Sequence, residues 1–323
     1  MYRTHFGLHK KPFELTPDTK FLFLGETHKE ALGILKRGVV SDKGFLLFTG
    51  GVGTGKTTLI NVLSKTLENP GYLCVISNPT LEIDDFFYYF AAQLGLLFDG
   101  NKAKFLFLFS KLLEECKKTE RKVLLIIDEA HALPTDLLEE LRLLVNMAAE
   151  IKGVLSVFLV GQPELLDRLN EEQLSPLAKR IAVRYHLSKL SKQDALQYIQ
   201  FRLKRAGADK RSIFTEKALE LIYLSTSGNP RQINIICDNA LLAAYLKEED
   251  VVEASVVRKC VEQLAIPGDN LYYLPPEKKL WKRWWVWLII GVLLAEIVFG
   301  IFAWRQGWLD SLYSYLLKIL HLD

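Results

Sequence analysis

The residues most able to do chemistry lie between Gly50 and Thr57, in the segment Gly-Gly-Val-Gly-Thr-Gly-Lys-Thr. This segment follows the apolar run Phe45–Phe48 and fits the G-x4-G-K-[ST] pattern of a phosphate-binding loop. Its glycines let successive backbone N–H groups point inward around phosphate oxygens, and the dipole of the following helix adds positive potential. The segment therefore predicts a site for a nucleoside triphosphate.

The whole loop is expected to touch the nucleotide. The predicted contacts are Gly50, Gly51, Val52, Gly53, Thr54, Gly55, Lys56, Thr57 and Thr58. Lys56 would neutralise the β- and γ-phosphates of ATP, and the Thr57 hydroxyl would be a ligand of Mg2+. The alternative is a glycine-rich turn with a solvated lysine, and the position of the loop between an apolar strand and a helical pattern disfavours it.

Two carboxylates follow the apolar run Val123–Ile127, which is typical of a central strand buried on both faces. Parallel strands bring the residues after their carboxyl ends to one edge of the sheet. There Asp128 would hold Mg2+, usually through water, and Glu129 would polarise the water that attacks the γ-phosphate. An apolar strand ending in Asp-Glu is a weak signal alone, but its separation from the phosphate-binding loop fits one intervening strand and favours this role.

Four further polar residues would complete a hydrolytic site. Gln162 follows the predicted strand Val154–Val160 and could reach the γ-phosphate or the attacking water, unless it is only a turn residue before proline. Arg180 or Arg184 could stabilise transition-state charge from a neighbouring subunit, unless both are solvated arginines on a helix. Arg231, at the start of a predicted helix, could contact phosphates in its own subunit, unless it faces solvent.

Strand and helix patterns alternate over residues 1–187, which predicts an α/β domain with a doubly wound parallel sheet. The predicted strands are Gly44–Thr49, Tyr72–Ser77, Val123–Ile127, Val154–Val160 and a short fifth at Arg184–Leu187. The predicted helices are Lys56–Leu67, Asp84–Leu94, Lys102–Lys118 and Thr135–Ala149. Over residues 188–266 the strand signal stops and helical periods predict a lid.

The segment Trp284–Trp304 predicts a transmembrane helix. It contains a single charged residue, Glu296, and as a helix it would extend about 30 Å, the thickness of a bilayer core. Tryptophans gather at both ends, where interfacial rings prefer to lie. Basic residues cluster between Lys278 and Arg283, so the positive-inside rule places the N-terminal side in the cytoplasm. A buried core helix is the alternative.

The segments beside this span carry weaker signals. Residues 267–283 are turn-rich and end in the basic cluster, which predicts a linker. Residues 305–323 would be a short extracytoplasmic tail, with leucines at the spacing of an amphipathic helix on the membrane face. We expect these 19 residues to be too few for a folded domain.

Composition limits the classes of partner and site. The formal net charge of +3 and the lack of a basic patch give no reason to expect nucleic acid as a partner. Cys74, Cys116, Cys237 and Cys260 form no C-x-x-C pair, so they are interpreted as reduced packing residues. The first residues lack an apolar run, and we expect no cleavable signal peptide.

A set of short motifs also runs along the chain. They are His5-Phe6-Gly7-Leu8, Pro12-Phe13-Glu14-Leu15-Thr16-Pro17-Asp18, His28-Lys29-Glu30-Ala31-Leu32, Ile127-Asp128-Glu129-Ala130-His131, Val160-Gly161-Gln162-Pro163-Glu164-Leu165 and Gly228-Asn229-Pro230-Arg231-Gln232-Ile233-Asn234. Together with the phosphate-binding loop, they resemble the ExeA-type (general secretion pathway protein A) ATPases of the AAA+ class over about residues 1–266. The resemblance implies a P-loop AAA+ α/β domain with a C-terminal helical lid, followed here by one predicted transmembrane helix.

The resemblance also implies roles for residues and partners. Gln162 matches sensor 1, Arg231 matches sensor 2 and Arg180 is the expected arginine finger. The family implies a homo-oligomeric ring that uses ATP and Mg2+, with its ATPase domain in the cytoplasm and a single-pass anchor in the bacterial inner membrane. Members of the family help a secretin or a related export assembly form across peptidoglycan, so the resemblance implies such a role here. A related branch of the family accompanies exopolysaccharide and exosortase loci.

One departure and two rival functions stand beside this resemblance. Longer members carry a peptidoglycan-binding domain after the span, which residues 305–323 would not form, so we expect any wall contact to pass through a partner. The same branch resembles ATPases that assist DNA transposition, which leaves an ATP-dependent DNA-associated regulator as an alternative. The second alternative is a scaffold that binds ATP but hardly hydrolyses it.

Overall fold

The structure is a computed structural model. It describes residues 2–16, 21–41, 44–67, 71–77, 81–149, 151, 153–208, 212–264, 272–275 and 284–306. The chain divides into two compact units, Met1–Pro275 and Pro276–Asp323. The larger unit contains the sheet and every predicted site residue, so it is described first.

Five parallel strands form one sheet in the order β2-β3-β4-β1-β5. The strands are β1 (Phe45–Gly50), β2 (Gly71–Ile76), β3 (Lys122–Ile127), β4 (Leu155–Gly161) and β5 (Ile181–Leu187). This confirms the predicted parallel α/β sheet, although the fifth strand begins at Ile181 and not at Arg184. Because β4 lies between β1 and β3, the loops after these three strands are neighbours at the carboxyl edge.

Helices cover both faces of the sheet and continue beyond it. In the first part of the chain they are α1 (Tyr2–His5), α2 (Glu26–Val40), α3 (Lys56–Thr66), α4 (Ile83–Leu94), α5 (Lys102–Lys118), α6 (Thr135–Ala148), α7 (Glu164–Leu169) and α8 (Ser175–Ala178). The lid helices are α9 (Lys192–Arg205), α10 (Glu216–Thr226), α11 (Pro230–Leu246) and α12 (Ala254–Leu264). The sequence interpretation missed α2, although His28, Ala31 and Leu35 are buried at helical spacing.

The alternation of side chains along β1 divides the core of the sheet into two layers. Phe45 and Leu47 pack on the face that α4, α5 and α6 cover. Leu46 and Phe48 point to the opposite face, where α2 and α3 pack. Both faces of β1 are therefore buried, which explains why its sequence is a continuous apolar run.

The lid helices form a separate hydrophobic cluster, which also includes residues near the N-terminus. Tyr2, Phe6 and Phe13 are buried in this cluster together with residues of α9 to α12. The predicted domain boundary at residue 187 stays a prediction, but this packing ties the beginning of the chain to the lid. The N-terminal segment and the lid consequently form one body beside the sheet.

The second unit contains α13 (Trp284–Arg305). Its described side chains are those of residues 288–302 and 305–306, and its large apolar side chains are exposed. Within the described residues, no helix combines the length and the apolarity that crossing a membrane requires. Most of the predicted linker 267–283, and the predicted tail beyond residue 306, lie outside the described residues.

Candidate nucleotide site

A cavity of about 780 Å3 lies where the loop after β1 meets the N-terminal segment and the lid. Its wall includes the loop residues Val52–Thr58, the segment Phe21–Leu24 and residues of α9 and α11. Glu129 and Gln162, which follow β3 and β4, also line it. The volume falls in the range of small-molecule sites, so the cavity can hold a nucleotide.

Two glycines of the loop adopt backbone conformations that other residues disfavour. Gly53 has φ of +75° and Gly55 has φ of +104°. A Cβ atom on Gly53 would lie 2.6 Å from the Cβ of Arg231, which is too close for any side chain. These glycines let the backbone turn tightly into α3, as the predicted strand-loop-helix arrangement requires.

Lys56 lies inside the curve of the loop. Its ammonium donates to the carbonyl oxygens of Gly50 at 2.8 Å and Gly51 at 3.2 Å. Burial lowers the pKa of Lys56, and nearby carboxylates, Glu129 first among them, partly oppose this shift. The cation is thus held by neutral carbonyls in a desolvated place, where anionic phosphate oxygens are stronger partners.

Thr57 and Asp128 meet at the carboxyl edge. The Thr57 hydroxyl donates to Asp128 Oδ2 at 2.6 Å, and Asp128 Oδ1 accepts from the Glu129 backbone N–H at 2.9 Å. Asp128 is buried. A hydroxyl and a buried carboxylate this close are oxygen donors of the kind that Mg2+ prefers, so the pair fits the predicted metal.

Glu129 begins the turn after β3 in a strained conformation. Its φ of +55° lies in the left-handed region, which is uncommon for a residue with a side chain. Such strain is concentrated at functional sites, where it sets the direction of a side chain. Glu129 lines the cavity together with Lys56, as the sequence predicts.

His131 connects Glu129 and Gln162 and received no individual role from the sequence. Its Nδ1 lies 3.4 Å from Glu129 Oε2, and its Nε2 lies 2.9 Å from the side-chain amide nitrogen of Gln162. The Gln162 backbone N–H also faces Nδ1 at 3.4 Å. The spacing Asp-Glu-Ala-His was the available signal, but the contact depends on β3 and β4 being neighbours.

The lid touches the loop through the start of α11. Asn229 donates from its side-chain amide to the Val52 carbonyl at 2.8 Å, and its Oδ1 accepts from the Arg231 backbone N–H at 3.0 Å. Arg231 N–H also faces the Gly53 carbonyl at 3.4 Å. The structure thus places the predicted Arg231 at the wall of the cavity. It also shows that Asn229 joins the lid to the loop, and the sequence feature that could have indicated this residue is its position as the helix N-cap before a proline.

His28 supports the loop from α2, which the sequence interpretation had missed. Its Nε2 donates to the Thr54 carbonyl at 3.1 Å. The ring is buried, and burial lowers its pKa against smaller opposing effects of the Thr54 hydrogen bond and of Asp194. The His28 imidazole is therefore neutral, and its hydrogen bond holds the phosphate-binding loop at Thr54.

Arg202 of α9 ties the N-terminal wall of the cavity to the lid. Its guanidinium donates to the carbonyls of Pro12 at 2.5 Å and Glu14 at 3.1 Å and to the hydroxyl of Tyr198 at 2.7 Å. It also lies 5.4 Å from the centre of the Phe21 ring. The sequence did not single out this buried cation, whose hydrogen bonds join the N-terminal segment to α9 at the wall of the cavity.

The structure does not bring Arg180 or Arg184 to this cavity. Arg180 is exposed and lies between α8 and β5, at the amino end of the sheet. Arg184 lies within β5, and its guanidinium donates to the Ala178 carbonyl at 3.1 Å. Neither residue is on a helix, but Arg180 is exposed to solvent, as the alternative expects, so its role as the finger stays a prediction.

Comparison with known proteins confirms the family resemblance. Residues 37–169 match the AAA domain family AAA_22, which implies nucleotide binding. General secretion pathway protein A of Aeromonas hydrophila is 37% identical over 301 residues, which cover 90% of this chain and 55% of that protein. The chain thus spans little more than half the length of this relative.

Solved structures support the fold. Cdc6p from Pyrobaculum aerophilum superposes with a TM-score of 0.59 at 17% identity, covering 78% of this chain and 72% of that one. The Aeropyrum pernix ORC2 protein, in ADPNP–ADP complexes, gives 0.56 at 18% identity over 80% and 73% of the two chains. At these identities the likeness shows a P-loop AAA-type fold alone.

Proposed function

We propose that this chain, an AAA-domain relative of general secretion pathway protein A, binds ATP in the cavity at the carboxyl edge of the sheet and hydrolyses it. One observation carries the proposal. The loop cation Lys56, the pair of Thr57 and Asp128, and the strained Glu129 converge at the carboxyl ends of β1 and β3, the two strands that flank β4. That is the set of groups that phosphoryl transfer to water requires.

Each residue has a distinct part in this reaction. Lys56 and the loop N–H groups bind the phosphates, and Thr57 and Asp128 would hold Mg2+, which supplies charge neutralisation at the phosphate oxygens. Glu129 orients the attacking water and accepts its proton. Gln162 follows β4 beside Glu129 and would place its amide near the γ-phosphate.

We further propose that the nucleotide couples the lid to the sheet. Asn229 and Arg231 of the lid contact the loop carbonyls of Val52 and Gly53. A ligand in the cavity would touch the loop and the start of α11 together, so its presence or loss would change the angle between them. In a homo-oligomeric ring, Arg180 of a neighbouring subunit would complete the site.

ATP turnover by the purified full chain in detergent, with Mg2+, tests the ATPase. The wild type is expected to release phosphate, and Glu129→Gln is expected to bind ATP while releasing phosphate at least ~100-fold more slowly, because the proton acceptor is lost. A wild type that binds no nucleotide would refute the proposal. A wild type that binds ATP without measurable turnover would favour the scaffold instead.

A membrane anchor at α13 is the second part of the proposal. Its support is the sequence Trp284–Trp304, with one charge and tryptophans at both ends. Replacing both Val292 and Val298 by Arg would cost about 3 kcal/mol per residue at a bilayer centre, so the variant should leave the membrane pellet after an alkaline wash. Leu246→Arg, on the exposed face of α11, is the control that should partition like the wild type. If the wild type itself washes off, the anchor is wrong.

The third part concerns the cellular role. The name of the Aeromonas relative supports a link to general secretion, and we propose that ATP turnover drives assembly of an envelope secretion or polysaccharide-export machine from the inner membrane. Cells that carry Glu129→Gln at wild-type protein levels should then fail to assemble that machine and should retain its exported product. Unchanged export in these cells would contradict an assembly role that depends on ATP turnover.

A further inference from the structure

His131 occupies the position between the predicted water-activating residue and the predicted nucleotide sensor. It lies in the single turn Ala130–Ala132 that follows β3. One side of its ring faces Glu129 Oε2 at 3.4 Å, and the other side faces the Gln162 amide nitrogen at 2.9 Å. The two residues that would act on opposite sides of the γ-phosphate are thus connected through one imidazole.

The backbone of His131 is held in place from a third direction. Arg168 of α7 donates to the His131 carbonyl at 2.6 Å and to the Leu133 carbonyl at 2.7 Å. A Cβ atom on Gly161, the last residue of β4, would lie only 3.2 Å from the backbone nitrogen of His131. The backbone of the turn is therefore held tightly against the end of β4 and against α7, so that movement at this position is confined to the His131 side chain.

The two ring nitrogens meet different partners. Nδ1 lies 3.4 Å from Glu129 Oε2, which can only accept, and 3.4 Å from the Gln162 backbone N–H, which can only donate. Nε2 faces the Gln162 side-chain amide at 2.9 Å and accepts from it in the tautomer that carries its hydrogen on Nδ1. The contact with Glu129 favours that tautomer and the contact with the Gln162 backbone N–H opposes it, and the shorter contact at Nε2 ties the ring to the Gln162 side chain.

We propose that His131 is a positioning residue that sets the place of the Glu129 carboxylate according to the place of the Gln162 amide. This inference rests on the proposed ATPase function. When the amide moves to a γ-phosphate, the ring adjusts, and Glu129 is aligned with water only while triphosphate is present. Loss of His131 should therefore slow hydrolysis and leave the affinity for nucleotide as it was.

Three substitutions separate the two contacts. His131→Asn keeps a polar group near the Nδ1 position, which can reach Glu129, whereas His131→Gln keeps one near the Nε2 position, which can reach Gln162. His131→Ala keeps neither. We expect kcat of the Ala variant to fall roughly 10- to 100-fold, because small misplacements of a catalytic group have effects of this size. Asn and Gln should each restore only part of the rate, and added imidazole should partly restore the Ala variant.

The coupling itself is measured by combining His131→Ala with Gln162→Ala. If the ring acts through the amide, the double variant should be scarcely slower than the slower single variant, whereas independent roles would multiply the losses. His9→Asn, an exposed histidine in the N-terminal segment, is the matched control and should keep wild-type kcat. The affinity for a fluorescent ATP analogue should stay within about twofold in all variants.

Several results would overturn the inference. They are wild-type kcat in His131→Ala, multiplied losses in the double variant, or weakened ATP binding together with a lower melting temperature, which would mark a purely structural role. If His131→Ala does not fold, the Asn and Gln variants carry the test, and full activity in both would overturn it. An inactive wild type would instead refute the proposed ATPase, and the inference with it, so the two failures are distinguishable.

Discussion

At the carboxyl end of the sheet, the segments after β1, β3 and β4 bring Lys56, Glu129 and Gln162 to one cavity, whereas at the amino end of β5 the exposed Arg180 lies away from it. The carboxyl end is rich in contacts between its functional groups. In the described part of the chain, the Arg180 side chain makes no hydrogen bond or ion pair. One end of the sheet is thus a nearly complete site, whereas the exposed Arg180 at the other end lies away from it.

This difference has a geometric origin. Parallel strands deliver every strand-to-helix loop to the same edge, so groups of one subunit gather there. A residue at the opposite edge cannot reach the cavity of its own subunit without crossing the length of the sheet. Arg180 could therefore act only at the site of a neighbouring molecule, as the proposed finger role requires, whereas Arg231 lies at the cavity of its own subunit.

The largest expected effect tests the separation of the two ends. Arg180→Ala should lower kcat by about 10^3-fold in the full-length oligomer, because a finger guanidinium stabilises the transition state and not the ground state. Arg184→Ala should cause a much smaller loss, since that guanidinium is engaged with the Ala178 carbonyl. Phosphate release at saturating ATP is the measurement.

Mixing two inactive variants decides whether the two ends meet between subunits. Rings formed from Arg180→Ala and Glu129→Gln chains contain interfaces with an intact Glu129 site facing an intact Arg180. Activity should therefore return in the mixture although neither variant is active alone. Full activity of Arg180→Ala, or a mixture that stays inactive, would contradict a site completed by Arg180 of a neighbouring subunit.

A matched pair of glycines tests how closely the lid and the loop approach. Gly53→Ala should lower the free energy of unfolding by about 2 to 3 kcal/mol, since its φ of +75° disfavours a side chain and its Cβ would meet Arg231 at 2.6 Å. Gly51→Ala should cost less stability, because the nearest atom to its Cβ would be 3.7 Å away and its φ is not in the left-handed region. Urea unfolding compares them, and equal losses would contradict the close approach.

Asn229→Ala tests the same contact from the lid. The variant loses the cap of α11 and the bond to the Val52 carbonyl, so we expect a loss of stability of about 2 kcal/mol. ATP should then add less to the melting temperature of the variant than to that of the wild type, because the side-chain bond from the lid to the Val52 carbonyl is lost. An unchanged shift with ATP would show that the lid does not respond through Asn229.

The smallest expected effect concerns pH and His28. Burial lowers the pKa of His28, so below the ordinary value of about 6.5 the unfolded chain binds a proton that the folded chain does not. Stability is then complete above about pH 6.5 and falls as the pH falls towards the lowered folded pKa, by at most ~1.4 kcal/mol per pH unit. His28→Gln should flatten this part of the slope, whereas the exposed control His9→Gln should not. If the wild type and His28→Gln show equal slopes, the neutral state of the His28 ring in the folded chain is contradicted.

Much of the fold was predictable because its signals are local. The apolar run Val123–Ile127 is continuous since β3 is buried on both faces, and it was predicted with its acids in place. The lid helices α9 and α10 begin directly after Ser191 and Thr215, whose side chains cap the first turn. The helix α2 was missed, although its buried residues recur at helical spacing.

Other parts were not predictable from local patterns. Asn229 and Val52 are 177 positions apart along the chain. His131 and Gln162 meet because β3 and β4 are adjacent in the sheet, and a different strand order would separate them. The burial of Arg202 by the carbonyls of Pro12 and Glu14 depends on the N-terminal segment crossing to the lid. None of these contacts leaves a periodic trace in the sequence.

By itself, the sequence determined the phosphate-binding loop, the acids after β3 and the parallel α/β class, because backbone requirements for glycine and strand burial act on neighbouring residues. Only the tertiary structure decided which of the distant polar residues share the cavity. It placed His28, Gln162 and Arg231 at the cavity, brought His131 and Asn229 into contact with residues that line it, and left Arg180 outside, since strand order and helix packing, which are set by the whole core, bring remote side chains together.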